Sequence, residues 1–305
     1  MLKKLVNEAK FQLTLTTTGP VLIRSGVATS SQGRNPDMTP VQTYRNGQRE
    51  VFFPGSSLKG VFRSHLEKIG RTLNEPAICD PFGASFCGKK FKDDDPTHNV
   101  YAGSCPVCRL FGSTAFIGRI SIGDAYLSDD YLKRGGNPVP TELRDGVGID
   151  RFTGGASHGA KFDLEAVSSG VDFVTNIYLR NFECWQLGMI LQVVRDLEDE
   201  LIRVGSGTSR GLGGIKGAVE KVEISYPGLP QKEAKEVWGL GKFLAEQTPN
   251  YDTRADDGLF LNAEPPTDPN GIRLTSAYQG ETLAELRNKA GQEFVRRIQN
   301  WRRLQ

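Results

Sequence analysis

The stretch Gly205-Ser-Gly-Thr-Ser-Arg-Gly-Leu-Gly-Gly-Ile-Lys-Gly217 sets six glycines and two cations between two apolar segments. Glycine at that density permits positive φ and close approach of the backbone to a ligand. Successive amides can then converge on an anion, with Ser209, Arg210 and Lys216 beside them. A flexible turn between a helix and a strand is the alternative reading. Two familiar nucleotide loops are excluded: no Gly-Lys-Ser/Thr closes the run as in a P-loop, and the segment before it has helical rather than strand periodicity.

Working outward from this loop, Trp185 to Asp199 aligns Leu187, Ile190, Leu191 and Val194 as a helix, and Ala218 to Ser225 reads as a strand. Upstream, Lys10 to Thr18 alternates Phe11, Leu13 and Leu15 with polar residues, the period of a half-buried strand. Val51 to Phe53 forms a short strand ending at Pro54-Gly55-Ser56-Ser57, with Ser56 as the expected cap of a helix from Leu58 to about Gly70. Gly118 to Leu127 reads as a further strand, and Lys161 to Val167 with Val171 to Leu179 as a hairpin. The order β, α, β, β, α, β predicts an α+β chain with a ferredoxin-like (RRM-like) core loaded with insertions.

The 305 residues carry a net charge of only +2, so any affinity for nucleic acid must come from clustered cations. No window approaches a membrane span, and an odd count of five cysteines argues against a secreted disulfide framework, so a cytoplasmic setting without membrane attachment is expected. Cys79, Cys87, Cys105 and Cys108 fall in one polar window, the last two as Cys-Pro-Val-Cys. That spacing suits a closed tetrahedral zinc site of structural type, with His98 as an alternative ligand. A redox dithiol and reduced, metal-free thiols are the other readings. Cys184, beside Trp185, reads as a small core residue.

Three stretches carry a family resemblance: Phe53-Pro-Gly-Ser-Ser-Leu-Lys-Gly-Val-Phe-Arg63, Cys105-Pro-Val-Cys-Arg-Leu-Phe-Gly-Ser113 and Arg144-Asp-Gly-Val-Gly-Ile-Asp-Arg-Phe-Thr-Gly154. Together with the Gly-rich loop they resemble, in order, a RAMP-superfamily backbone subunit of a type III CRISPR effector complex. The resemblance covers about residues 10 to 225. It implies a core over 1–225 with a zinc-binding insertion at about 76–112 and a thumb hairpin at about 141–165, followed by a C-terminal helical extension over 226–305. It also implies partners: a guide CRISPR RNA, a complementary target RNA, and other subunits of the complex, including like subunits stacked along the guide.

Physical chemistry gives each motif a role. Ser56, Ser57, Lys59 and Arg63 open a helix whose amides and positive dipole end favour a phosphate. With Arg210 and Lys216 they would grip the guide backbone without reading its sequence. The excursion Arg144 to Phe162 carries Arg144, Arg151, His158 and Lys161 with Ile149 and Phe152 as apolar tips, and resembles the thumb that splays a nucleotide from the duplex. Asp37 resembles the family's catalytic aspartate. A carboxylate there would hold Mg²⁺ (or Mn²⁺) against the scissile phosphate, making the chain an endoribonuclease. Arg24, Lys59 and His158 are secondary candidates for charge stabilisation or proton transfer. The competing expectation is a backbone subunit that shapes the duplex and cuts nothing. Thr282 to Gln305 reads as an amphipathic helix with basic flanks.

Overall fold

The computed structural model describes residues 4–24, 36, 38–83, 86–92, 94–244 and 251–301. Strand β1 (Glu8–Thr17) buries Ala9, Phe11, Leu13 and Leu15 on one face, as its alternation requires. A hairpin of β2 (Gln42–Arg45) and β3 (Gln48–Phe53) follows, turned by Asn46 and Gly47 at φ 53° and 78°. Next come α1 (Gly55–Asn74), β4 (Ile120–Ile122) and β5 (Ala125–Leu127). The two long strands β6 (Thr141–Ile149) and β7 (Ala156–Val167) precede β8 (Asp172–Arg180) and α2 (Cys184–Glu198). The chain closes with β9 (Ile215–Ala218), β10 (Lys221–Pro227), β11 (Thr267–Asn270), β12 (Arg273–Gln279) and α3 (Gly280–Gln299).

Ten strands form one antiparallel sheet in the order β11-β12-β10-β1-β8-β5-β3-β2, with β9 also on β1 and β4 on β8. The strand order puts β10 on one side of β1 and β8 on the other. The helices α1, α2 and α3 pack on one another, and α2 also packs on β9. Helices α2 and α3 cross at backbone contact: a Cβ on Gly188 would lie 2.0 Å from the Ala290 carbonyl oxygen. Residues after 226 therefore extend the same sheet through β12 and the same helical cluster through α3. No helix among the described residues is long and apolar enough to cross a membrane.

One expected pairing is overturned. Lys161 to Val167 does not form a hairpin with Val171 to Leu179. It belongs to β7, which pairs with β6 in a separate two-stranded sheet, while β8 pairs with β1 from Glu8 to Thr16. Alternation marks a strand but not its partner, and Ser168–Gly170 is a crossing between sheets rather than a hairpin turn. Two predicted strands are also broken, at Gly123-Asp124 and at Val219-Glu220, and β2 was not anticipated.

Buried polar links tie the C-terminal part to the core. Arg109, with no exposed surface, donates to Asp252 Oδ2 at 2.7 Å and to the Ala102 carbonyl at 2.6 Å, and its guanidinium lies 4.3 Å from the Trp301 ring centroid. Asp257 accepts from the amides of Cys184 and Gly241, each at 2.9 Å. Burial, and then the neighbouring Glu183, push the Asp257 carboxyl up to about 7. A folded-state pKa above the unfolded value of about 3.9 means this group's stabilisation is complete below that pH and is lost as pH rises through about 7. Thermal melts should therefore show a component of Tm, a few degrees in size, that declines from about pH 5 to pH 8 and is absent in Asp257→Asn. Identical pH profiles for the two proteins would contradict the assignment.

Candidate nucleic-acid interface and metal centre

The segment leaving β1 is a junction of backbone hydrogen bonds. Val21 exchanges both bonds with Val167 at the base of the β6–β7 hairpin, at 2.9 and 2.8 Å. Carbonyls of Pro20 and Leu22 accept from Gly213 and Ser206 of the Gly-rich loop, both at 2.7 Å. Ile23 accepts from Val41 at 3.0 Å, and Arg24 bridges Pro40. On the hairpin side, the Met38 carbonyl accepts from Glu165 at 2.8 Å. Asp37 itself lies outside the described residues. Its neighbour Met38 lies in this junction, and Arg24 is exposed at its edge.

The glycines of the loop turn out to serve the protein's own packing. Gly205 has φ 88°, and a Cβ there would lie 2.3 Å from the Leu22 carbonyl oxygen. At Gly213, φ is 83° and the corresponding contact is 2.6 Å to the Val204 carbonyl. Amides of Ser206, Arg210, Leu212 and Gly213 are all spent on protein carbonyls. The expected nest of free amides is thus largely consumed, and what the loop offers outward is the exposed side chains of Ser209, Arg210 and Lys216. Arg210 stands 5.9 Å from the Phe162 ring centroid on the hairpin.

The start of α1 also differs from expectation. The helix begins at Gly55 with Pro54 as the capping position, and Ser56 makes no capping bond. Asp124, from the break between β4 and β5, accepts from the Gly55 amide at 2.7 Å instead. That carboxylate already complements the positive end of the helix. Arg63 is turned inward: it donates to Glu67 Oε1 at 3.0 Å, to the Gly112 carbonyl at 3.0 Å and to Cys108 Sγ at 3.3 Å. Lys59 is half-buried beside the Ile120 carbonyl at 3.4 Å, and burial, then Arg63, lower its pKa. Ser57 faces the other flank of α1, where it and Thr208 of the Gly-rich segment line one groove.

At the far end of the β6–β7 hairpin the turn is locked by one carboxylate. Asp150 Oδ1 accepts from the amides of Phe152 and Thr153 at 2.9 and 2.8 Å, and from the Thr153 hydroxyl at 3.1 Å. Those amide bonds hold the Asp150 carboxyl below its usual range. Phe152 is left fully exposed at the tip, with Arg151 exposed beside it. Arg144, lower on the hairpin, pairs with Glu142 at 2.6 Å on the surface. His158 is exposed and Lys161 pairs with Asp145 at 3.4 Å.

The four clustered cysteines converge as their spacing predicted. Their sulfurs all lie within 4.8 Å of one another, and all four residues are buried. Cys79 Sγ stands 3.7 Å from Cys108 Sγ and 3.6 Å from Cys105 Sγ, and the amides of Cys105 and Cys108 donate to Cys87 and Cys105 sulfur. Hydrogen bonding from Cys105 draws the Cys79 thiol far below the ordinary range, while the same neighbour drives Cys108 far above it. Sulfurs so placed compete for charge, and a divalent cation such as zinc would resolve the competition. His98 is not among the four: its ring stands against Tyr251 at 5.9 Å.

The sequence matches the RAMP superfamily over residues 14–216, two thirds of its length. The chain belongs to that superfamily. Over 219 residues, 66% of this chain and 79% of the relative, it is also 26% identical to the protein named CRISPR system Cms endoribonuclease Csm3 of Methanocaldococcus jannaschii. The matched span of this RAMP protein contains the whole junction, the hairpin, the Gly-rich loop and all four clustered cysteines.

Sequence reasoning passed over Asp124, whose partner is 69 positions away, and Asp150, readable as an Asx turn before Thr153-Gly154. His65, on α1, pairs through Nε2 with Asp196 Oδ2 at 2.6 Å. A metal at the cysteine quartet is directly testable. The purified RAMP chain should carry about one zinc per molecule, and Cys105→Ser should lose it and drop Tm by on the order of 10 °C, read by metal analysis and thermal melts. Full stability in metal-free protein would exclude a structural ion.

Proposed function

We propose that this chain is a guide-RNA-binding backbone subunit of a type III CRISPR interference complex and cuts complementary target RNA with a divalent metal ion. The reading is supported by superfamily membership and by likeness to a protein named as a CRISPR endoribonuclease. The observation that carries it is the junction after β1, which anchors the Gly-rich loop, the hairpin base and the backbone of Pro40 and Val41 to one short segment. In this reading β1, α1, β5, β8, α2 and β10 are a ferredoxin-like core, the β6–β7 hairpin is the thumb, and the thiol quartet holds structural zinc.

The division of labour follows from the chemistry of each part. Arg210 and Lys216 hold guide phosphates, so the guide is positioned while base pairing supplies specificity. The thumb reaches roughly 35 Å from Val167 to its turn at about 3.3 Å per residue, and inserts Phe152 where a stacked base has been displaced. A splayed target nucleotide can bring its 2′-hydroxyl in line with the adjacent phosphorus. Attack there forms a 2′,3′-cyclic phosphate and expels the 5′-oxygen of the next nucleotide. Asp37 would hold Mg²⁺ (or Mn²⁺), which supplies positive charge to the phosphate oxygens. Like subunits stacked along the guide would repeat this arrangement on the target.

Two experiments separate positioning from chemistry. Arg210→Glu with Lys216→Glu should weaken guide RNA binding by about tenfold or more, equally for unrelated guides, and flatten its salt dependence. A loss that varied with guide sequence would instead mean base reading by the loop. In the assembled complex, Asp37→Ala should abolish magnesium-dependent cleavage of a labelled target while leaving guide and target affinity within about twofold. Unchanged cleavage would leave this chain as a non-catalytic backbone subunit.

A further inference from the structure

One groove, of about 1360 Å³, lies on the open face of the sheet, and its walls carry Asp124, Asp129, Asp130, Asp172 and Glu220 against Arg45, Lys133, Arg134 and Lys221. A polyanion gains nothing there, because five carboxylates face four cations. A second groove of about 570 Å³ runs between the flank of α1 and the segment Leu201 to Thr208. None of the described residues lining it is a carboxylate, and two exposed cations, Lys68 and Arg203, stand on it with the hydroxyls of Ser57, Ser64 and Thr208. It adjoins the Gly-rich loop through Thr208, next in sequence to Ser209 and Arg210.

His65 completes this lining. Asp196, buried behind it, accepts from His65 Nε2 at 2.6 Å and from Gln192 Nε2 at 2.8 Å. Those two bonds satisfy both carboxylate oxygens and fix the imidazole. In the neutral ring the proton then sits on Nε2 and Nδ1 is a hydrogen-bond acceptor, with no protein partner among the described residues. Arg203 is anchored by one nitrogen to the Leu212 carbonyl at 3.3 Å, which leaves its other donors for a ligand. A fixed acceptor in a groove shared with two cations offers the groups that one repeating unit of RNA calls for: phosphate for Lys68 and Arg203, and the 2′-hydroxyl, which can donate, for Nδ1.

We propose that this groove binds a ribose-phosphate unit of a single RNA strand and that His65 makes the site prefer RNA to DNA. The proposal rests on the reading of the chain as an RNA-binding subunit and adds to it a site distinct from Arg210 and Lys216. Because the neutral ring accepts, a deoxyribose offers it nothing, and the preference comes from one hydrogen bond.

The test measures binding of the full chain to a fluorescent single-stranded RNA and to DNA of the same sequence across a salt series. Lys68→Glu with Arg203→Glu changes two exposed side chains. It should weaken both ligands by about tenfold or more and lower the log–log salt slope by roughly 0.7 for each phosphate that is no longer neutralised. His65→Gln keeps an amide donor for Asp196 and replaces the ring acceptor at Nδ1 with an amide oxygen on a differently shaped, unfixed side chain. It should weaken RNA by about three- to tenfold, leave DNA unchanged, and so erase the preference. Thermal melts of each variant report folding, and the charge-reversal pair tests the groove even where His65→Gln is unstable. RNA binding unchanged by the Lys68 and Arg203 reversals, but abolished on reversal of Arg210 and Lys216, would overturn the groove and leave the RNA-binding reading standing. Equal losses for RNA and DNA in His65→Gln would overturn the hydroxyl interaction. A wild-type chain that binds neither strand would overturn both readings.

Discussion

Backbone hydrogen bonding along Thr17–Arg24 is the constraint on which the functional surface depends. Each such bond is worth only about 1 kcal/mol net, but breaking one here would strand a buried donor or acceptor at a larger cost. Pro20 and Leu22 hold the Gly-rich loop, Val21 holds the hairpin base and Ile23 holds Val41, and Val21, Leu22 and Ile23 are buried. The glycines at 205 and 213 exist because the loop must come within backbone distance of this segment or of itself. A side chain at either position would push the loop away, and the exposed cations it carries would move with it.

Charge is sorted over the surface although the total is nearly zero. On the open face of the sheet five carboxylates stand among four cations, and Asp124 among them also caps α1. The side of α1 that meets the Gly-rich segment is lined instead by hydroxyls, a paired histidine and two cations. A sheet face of RRM type would bind bases through aromatic platforms on its central strands. Here the exposed face of β1 presents Gln12, Thr14 and Thr16, with Tyr178 of β8 as the aromatic beside them, and in the proposed reading the phosphate contacts come from the loops and helix flank.

Periodicity made β1, α1, α2 and α3 legible, because each buries one face and repeats its pattern for several turns or pleats. The cysteine quartet was legible from spacing and composition alone. What could not be read was partnership. The alternation in Lys161 to Val167 is the same whether it pairs forward with β8 or backward with β6. Ser56 is a good capping residue in isolation, but Asp124 reaches the helix start from another element. Glycine density signals close approach without saying whether a phosphate or a carbonyl approaches, and in Gly205 the answer is a carbonyl. Arg63 lies in a motif that suggests an anion contact, yet the folded chain supplies that anion itself in Glu67.

Helix α1 connects the two halves of the functional reading. One flank bears Lys59 and Arg63, four residues apart, directed at Ile120, Gly112 and the thiol quartet. The other bears Ser57, Ser64, His65 and Lys68, which face the Gly-rich segment across the groove. Successive helical residues are set about 100° apart, so a small rotation about the axis would carry Arg63 off the cysteine sulfur and His65 off Asp196 together. The quartet gathers the segment between α1 and β4 at one point, and Arg63 ties α1 to that point through Cys108 Sγ and the Gly112 carbonyl. In the proposed reading, a structural metal at the quartet would act on RNA recognition, since the helix it would steady is one wall of the groove.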